Sequence, residues 1–291
     1  MNDELHVPVL LEETVLSLSP KKGEKYLDLT SGYGGHAGEI LRSVGSEDLL
    51  TLVDRDEFAA SKLKERFKKA KIINKDFVST LEDLIAEEQR FDMVLMDLGV
   101  SSVQLDDESR GFGFQNDSEL DMRMDRSQSL TAKDVLNKYR KDDLIKILRE
   151  YGDEPKAGRI ASLIIEKRPL DKTSELEAIC KKVYPMRMKK NPATKTFQAI
   201  RIEVNDEINQ LRRALSLVPK VLNQGARFSV ISFHSLEDGI IKKFFKENSG
   251  KYDGFAKDLK VLKSSDTIDS IRNLRSRSAI LRSITYENKH N

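Results

Sequence analysis

The stretch Asp28-Leu-Thr-Ser-Gly-Tyr-Gly-Gly-His36 carries the sharpest chemical signal in the chain. Glycines at 32, 34 and 35 permit a tight turn and let the backbone come close to a ligand. A helix starting beside such a turn offers unpaired N–H donors to a carboxylate or phosphate. Asp54 follows Gly32 at the spacing of about 20 residues at which an acid accepts hydrogen bonds from adenosine ribose hydroxyls. Turn and acid together specify an adenosine-containing cofactor without selecting one. Gly32-x-Gly34-x-x-Ala37 also satisfies the dinucleotide fingerprint, which keeps a nicotinamide-dependent oxidoreductase open.

Two later features favour S-adenosylmethionine. Asp76-Phe77 closes a third apolar run, where an acid and an aromatic ring suit the edge and face of adenine. Asp97-Leu-Gly-Val-Ser-Ser102 closes a fourth, at the place where a transferable group meets its acceptor. Asp97, or a carbonyl of that turn, is a candidate hydrogen-bond acceptor for the group that receives the transfer, an interaction that grows in the transition state; the alternative is that Asp97 touches only the cofactor. Ser101 and Ser102 are candidates to orient the substrate, although serines after a strand also cap helices. His36 suits fixing the turn or touching the donor better than acting as a base. His234, in Ser232-Phe-His-Ser235, faces the same crevice in this topology and takes a substrate-side or a capping role. The four histidines (His6, His36, His234, His290) lack metal-ligand spacing, so no metal is expected.

The elements that must position these groups follow from hydrophobic periodicity. Short continuous apolar runs at 26–29, 49–53, 71–73, 91–96 and 228–233 read as strands buried on both faces. Helical patterns at 38–43, 58–69 and 81–88 separate the first four, which implies βαβ units and a doubly wound α/β sheet. From Thr131 the pattern is helical over 132–139, 141–151, 157–167, 173–183 and 193–217, with Thr131 and Thr173 as N-caps. A helix at 236–246 follows the fifth strand, and 260–262 with 279–286 form an antiparallel pair. The expected organisation is a cofactor-binding domain of residues 1–106 and 218–291, with an inserted helical substrate-recognition domain at 107–217.

Of the 291 residues, 38% are hydrophobic and 34% charged, a soluble globular balance. No apolar run approaches the roughly 20 residues of a membrane span, and the N-terminus lacks the basic start and cleavage site of a signal peptide. Cys180 is the only cysteine, which excludes an internal disulfide and a Cys-cluster metal site. A cytoplasmic location is expected. A net charge of +2 does not announce nucleic acid, and its distribution says more. Arg187, Lys189, Lys190, Lys195, Arg201, Arg212 and Arg213 form one basic cluster, and Arg272, Arg275, Arg277 and Arg282 a second. Either alone reads as a solvated helix face; two in an otherwise balanced chain favour a phosphate-binding surface. Phe197 reads as the buried side of its helix rather than a base-stacking platform.

The chain resembles the bacterial ribosomal-RNA small-subunit methyltransferase H family, a cytosine-N4 methyltransferase. The likeness runs through Gly34-Gly35-His36, Asp97-Leu-Gly-Val-Ser-Ser102 with Gln104-Leu-Asp106, and Arg110-Gly-Phe-Gly-Phe114. It continues through Leu120-Asp-Met-Arg-Met-Asp125, Ala193-Thr-Lys-Thr-Phe-Gln-Ala199, Arg201-Ile-Glu-Val-Asn205 and Ser232-Phe-His-Ser-Leu-Glu-Asp238. The resemblance implies a class I methyltransferase (Rossmann-like) sheet with an inserted helical domain. It implies donor contacts at Gly34, Gly35, His36, Asp54, Phe77, Asp97 and Gln104. It also implies methylation of N4 in a cytidine of the 16S ribosomal RNA decoding region, within a small-subunit particle. Lys195 and Arg201 would then hold RNA phosphates, with Ser101, Ser102 and His234 beside the base. Val103 and Leu274 stand where family members usually have proline, which touches loop rigidity near the substrate. Pairing of two copies as a homodimer is left open.

Overall fold

The computed structural model describes residues 8–113, 117–184, 191–249, 253–255, 260–264, 267 and 277–288. In chain order the elements are α1 (Leu11–Leu18), β1 (Tyr26–Asp28), α2 (Gly35–Val44), β2 (Leu50–Val53), α3 (Glu57–Arg66), β3 (Lys71–Ile73), α4 (Phe77–Ala86) and β4 (Phe91–Asp97). Next come α5 (Ser102–Asp106), α6 (Ala132–Lys138), α7 (Lys141–Glu150), α8 (Ala157–Lys167), α9 (Thr173–Val183), α10 (Thr194–Asn205) and α11 (Glu207–Leu217). The chain closes with β5 (Leu222–Ser232), α12 (Ser235–Asn248), β6 (Asp253–Phe255), β7 (Lys260–Lys263) and β8 (Ile280–Asn288). Among the described residues, no helix is long and apolar enough to cross a membrane.

Two compact units result: Met1–Gly99 with Asn209–Asn291, and Val100–Ile208. These divisions fall earlier in the chain than the 106/107 and 217/218 positions read from the sequence. The reason at the second is packing: Leu211, Ala214 and Leu215 of α11 join Val218 in the core of the sheet.

In the first unit the strand order is β3-β2-β1-β4-β5-β8-β6, with β7 also paired to β8. β1, β2, β3, β4 and β5 run parallel, and β8 lies antiparallel to β5. The chain winds outward from β1 to β3 and then returns to β4, so the order reverses between β1 and β4. Successive strand residues face opposite sides. Leu27, Val94, Met96 and Val230 pack beneath α4, α11 and α12, while Tyr26, Leu50, Leu52, Met93 and Leu95 pack beneath α1, α2 and α3. Burial on both sides explains why the strands read as unbroken apolar runs.

The second unit builds its own core, in which Leu136, Leu144, Leu148, Ile160, Ile164, Leu176 and Ile200 are inaccessible to solvent. Thr131 caps α6 as expected, its Oγ1 accepting from Asp134 N at 3.1 Å. Thr173 does not cap α9; it is the first helical residue, and its Oγ1 accepts from Ser118 N at 3.1 Å. The single helix expected over 193–217 is two, broken at Asp206 (φ 51°). The buried Asn205 explains the break. Its Nδ2 donates to Met122 O and Arg201 O at 2.7 and 2.9 Å, and its Oδ1 accepts from Met124 N at 2.8 Å. That side chain ties the loop at 122–124 to the end of α10.

β5 begins at Leu222, ahead of the expected start, and carries Gly225 at φ 76° within it. The turn residue that delayed the sequence reading is accommodated where the register against β4 shifts between Phe91 and Met93. α1 and β6 were not read from the sequence. The N-cap of α1 is Leu10 in the left-handed region, with no capping side chain to signal it, and the three residues of β6 are held by pairing with β8.

Candidate functional site

The carboxyl ends of β1, β2 and β4 each carry an aspartate, and all three belong to the first unit. Asp28, at the end of β1, is 1% exposed. It accepts from Tyr26 Oη at 2.9 Å and Thr30 N at 3.2 Å, and burial pushes its carboxyl up to about 7. The sequence reading quoted Asp28 within the glycine turn without giving it a role. Its signal was there: an acid closing an apolar strand next to a switch in strand order.

Asp54, just beyond β2, receives Gly32 N on Oδ2 and Asp56 N on Oδ1, both at 2.8 Å. Burial nevertheless raises its carboxyl to about 6, against the pull of those two donors. A carboxylate has about four lone-pair positions, so Asp54 keeps acceptor capacity on each oxygen while holding the glycine turn in place. Gly34 caps α2 at φ 76°, and a Cβ there would lie 2.4 Å from the Phe67 ring. A Cβ on Gly35 would lie 2.2 Å from the Pro8 ring. No intrahelical carbonyl is available to the first N–H groups of α2.

Asp97 ends β4, its N–H donating to Thr30 Oγ1 at 2.6 Å. Its carboxyl is held well above the ordinary range, by burial first and then by Asp28 and Glu237. Oδ1 is buried with no hydrogen-bond partner among the described residues. Oδ2 lies 3.9 Å from His36 Nε2. His36 is 5% exposed, neither ring nitrogen has a hydrogen-bond partner among the described residues, and burial pushes its imidazole down to about 4. A neutral imidazole and an elevated carboxyl thus stand together beside the β1/β4 switch point, both with unused polar atoms. Buried polar groups are rarely left so, which marks this corner for a ligand.

The reading of Asp76-Phe77 as the end of the third strand needs correction. β3 stops at Ile73, and Asp76 is the N-cap of α4, accepting from Val78 N, Ser79 N and Ser79 Oγ at 3.0, 3.0 and 2.7 Å. Phe77 opens that helix, half-buried against the sheet core. His234 caps α12: its Nδ1 accepts from Glu237 N at 3.4 Å, and its Nε2 lies 3.2 Å from Glu237 Oε1. Glu237, 2% exposed, was missed by sequence reasoning; it accepts from Phe233 N at 2.9 Å and orders the turn after β5.

The other sequence candidates lie in the second unit. Ser101 and Gln104 form the capping box of α5: Ser101 Oγ accepts from Gln104 N at 3.1 Å, and Gln104 Oε1 accepts from Ser101 N at 3.0 Å. Ser102 is the first residue of that helix. Lys195 Nζ donates to Asp153 O at 2.6 Å and lies 3.2 Å from its Oδ2. Arg201 forms a two-pronged pair with Glu207 at 2.8 and 2.9 Å. Phe197 is 4% exposed, within the core. Of the basic clusters, Arg187, Lys189, Lys190, Arg272 and Arg275 lie outside the described residues, as do Phe114, His6 and His290. Arg282, in the first unit, is 7% exposed and pairs with Asp238 at 2.8 and 3.0 Å.

A glycine turn into α2, an acid after β2, and a parallel sheet extended by an antiparallel strand give the Rossmann-like winding of a class I methyltransferase. A family model described as the MraW methylase family matches residues 3–287. Ribosomal RNA small subunit methyltransferase H of Caldicellulosiruptor saccharolyticus is 46% identical over 253 residues, covering 84% of this chain and 82% of its own. Its counterpart in Fusobacterium nucleatum subsp. nucleatum is 43% identical, with coverage of 85% and 81%. That of Synechocystis sp. is 40% identical over 289 residues, with coverage of 95% and 92%. The chain belongs to the MraW methylase family. Membership decides between the two cofactor classes left open by the glycine fingerprint, against the nicotinamide oxidoreductase.

Proposed function

We propose that this protein transfers a methyl group from S-adenosylmethionine to the exocyclic N4 amine of a specific cytidine in 16S ribosomal RNA, near the decoding centre of a small-subunit particle. The relatives' names support the RNA, and the motif blocks shared with the N4-specific family support the atom. The observation that carries the chemistry is Asp97 Oδ1, buried and without a hydrogen-bond partner among the described residues beside the β1/β4 switch point.

The cofactor supplies a methyl already activated as a sulfonium, so the chain's work is positioning. Asp54 would take the ribose hydroxyls on its remaining lone pairs, and the first turn of α2 with Gly34, Gly35 and His36 would take the carboxylate of the methionine part. Phe77 and Gln104 complete the donor contacts by resemblance. A cytosine N4 lone pair is delocalised into the ring. Asp97, accepting an N4 hydrogen, draws that nitrogen toward sp³ geometry and favours the transition state over the ground state. A cationic donor held at these strand ends would favour the ionised form of Asp97, which would take the N4 proton released on methyl transfer. His36, neutral and buried, orients the same corner. The target cytidine must leave its stack to present N4. The inserted helical domain, with Ser101, Ser102, Lys195 and Arg201, is assigned to holding the RNA, and His234 to the substrate side of the turn after β5. Such a substrate makes the cytoplasm the place of action.

The test is incubation of the protein with methyl-labelled S-adenosylmethionine and either naked 16S RNA or immature small subunits, followed by nucleoside analysis. N4-methylcytidine at one position in the particle is the expected product. Label on a different atom sinks the N4 assignment. A folded protein that binds the particle but transfers no label is a non-catalytic assembly factor instead. Sedimentation of the same preparation reads whether two copies pair.

A further inference from the structure

A cleft of about 250 Å³ opens in the first unit, away from the strand ends that carry the three aspartates. Its lining includes Lys21, Arg227, Lys260, Ser17, Ser283 and Thr285. Arg227 lies at the midpoint of β5, paired with Thr285 of β8. At ~3.3 Å per residue it sits roughly 16 Å along the strand from Ser232, where β5 ends.

Among the described residues, three cations meet here with one carboxylate. Arg227 is held by Glu24, 2.9 Å from its Nη1, and its Nε donates to Leu18 O at 2.7 Å. That arginine is fixed in place and its charge offset. Lys21 and Lys260 are exposed, and among the described residues neither ammonium forms an ion pair. Among the described residues the cleft therefore carries two cations without a carboxylate partner. Its buried wall is polar. Ser17 is 6% and Ser283 3% exposed. Ser229 Oγ donates to Ser283 Oγ at 2.9 Å, which leaves the Ser283 proton for an acceptor in the cleft. Lysines bind phosphate as point charges, and a hydroxyl donor adds direction. At about 250 Å³ the cleft has room for one phosphate group between the lysines and the serine wall.

We infer that this cleft is a phosphate-binding subsite separate from the methyl-transfer site, taking one phosphate group of an RNA backbone or of a small phosphorylated molecule. Three variants and the unaltered chain test it: Lys21→Ala with Lys260→Ala, Ser283→Ala, and a control pair Lys242→Ala with Lys243→Ala on α12. Retained S-adenosylmethionine binding verifies that each is folded. In calorimetric titration with inorganic phosphate, the Lys21/Lys260 variant loses at least tenfold in affinity and Ser283→Ala several-fold, while the control pair matches the unaltered chain. The second probe is a short single-stranded RNA, titrated across salt. A slope of log affinity against log salt that falls by about 0.7 per lost contact in the Lys21/Lys260 variant alone assigns the subsite to RNA. An unchanged slope with lost phosphate binding assigns it to a small phosphorylated molecule. The phosphate titration does not depend on RNA being the substrate. Equal phosphate affinity in all four proteins, or an equal loss in the control pair, overturns the inference.

Discussion

Asp28, Asp54 and Asp97 are one residue type given three environments, and their proton affinities follow. Asp54 holds its proton up to about 6, yet it must be ionised to accept two ribose hydroxyls well. S-adenosylmethionine binding should therefore tighten as pH rises through 6. Calorimetry at pH 5 and pH 8 reads this, and Asp54→Asn should be both weaker and flat with pH. Asp28 is raised to about 7, whereas an unfolded chain releases such a proton near 3.9. Between those values the native state binds more protons than the unfolded state, so stability falls as pH rises through the window and levels above 7. Asp28→Asn should reduce that fall, measured by thermal denaturation of the unliganded protein from pH 4 to 8. Asp97→Ala should cost roughly 10²–10⁴ in methyl transfer with RNA affinity within about twofold of the parent. Unaltered turnover would remove Asp97 from the chemistry.

At the scale of elements, the two devices that shape the site are a turn and a break. Gly34 sits at φ 76° with the Phe67 ring where a Cβ would go. Gly34→Ala should weaken S-adenosylmethionine binding at least tenfold, because both the left-handed backbone and the ring must give way. The break between α10 and α11 depends on Asn205, whose side chain serves three backbone groups. Removing it strands buried polar groups, and Asn205→Ala should destabilise the fold by about 3 kcal/mol, read from chemical denaturation midpoints. Helical periodicity ran straight through this position, since Asn and Asp are tolerated within a helix pattern. Only the partners supplied by the loop at 122–124 turn Asn205 into a stop.

At the scale of the whole molecule, the second unit is contiguous, Val100–Ile208, while the first is assembled from the chain on either side of it. Each has a separate core. Replacing residues 100–208 by a flexible glycine–serine linker should leave S-adenosylmethionine binding measurable and abolish RNA methylation. Loss of all cofactor binding in a folded deletion protein would show that the inserted residues are required for the donor site.

Sequence alone determined the doubly wound α/β sheet, because strands buried on both faces must be continuously apolar and the helices between them amphipathic. It also located the glycine turn, Asp54 and Asp97, whose residue types are tied to positions at strand ends. Tertiary structure decided what each polar side chain is free to do. Asp76 and His234 turned out to cap helices, Arg201 to pair with Glu207, and Arg282 with Asp238. Whether a carboxylate or guanidinium is spent or available depends on partners distant in the chain, and hydrophobic periodicity carries no record of them. His36 and Asp97 are the clearest case, since their polar atoms, buried without hydrogen-bond partners among the described residues, come together only once the sheet has brought β1 and β4 side by side.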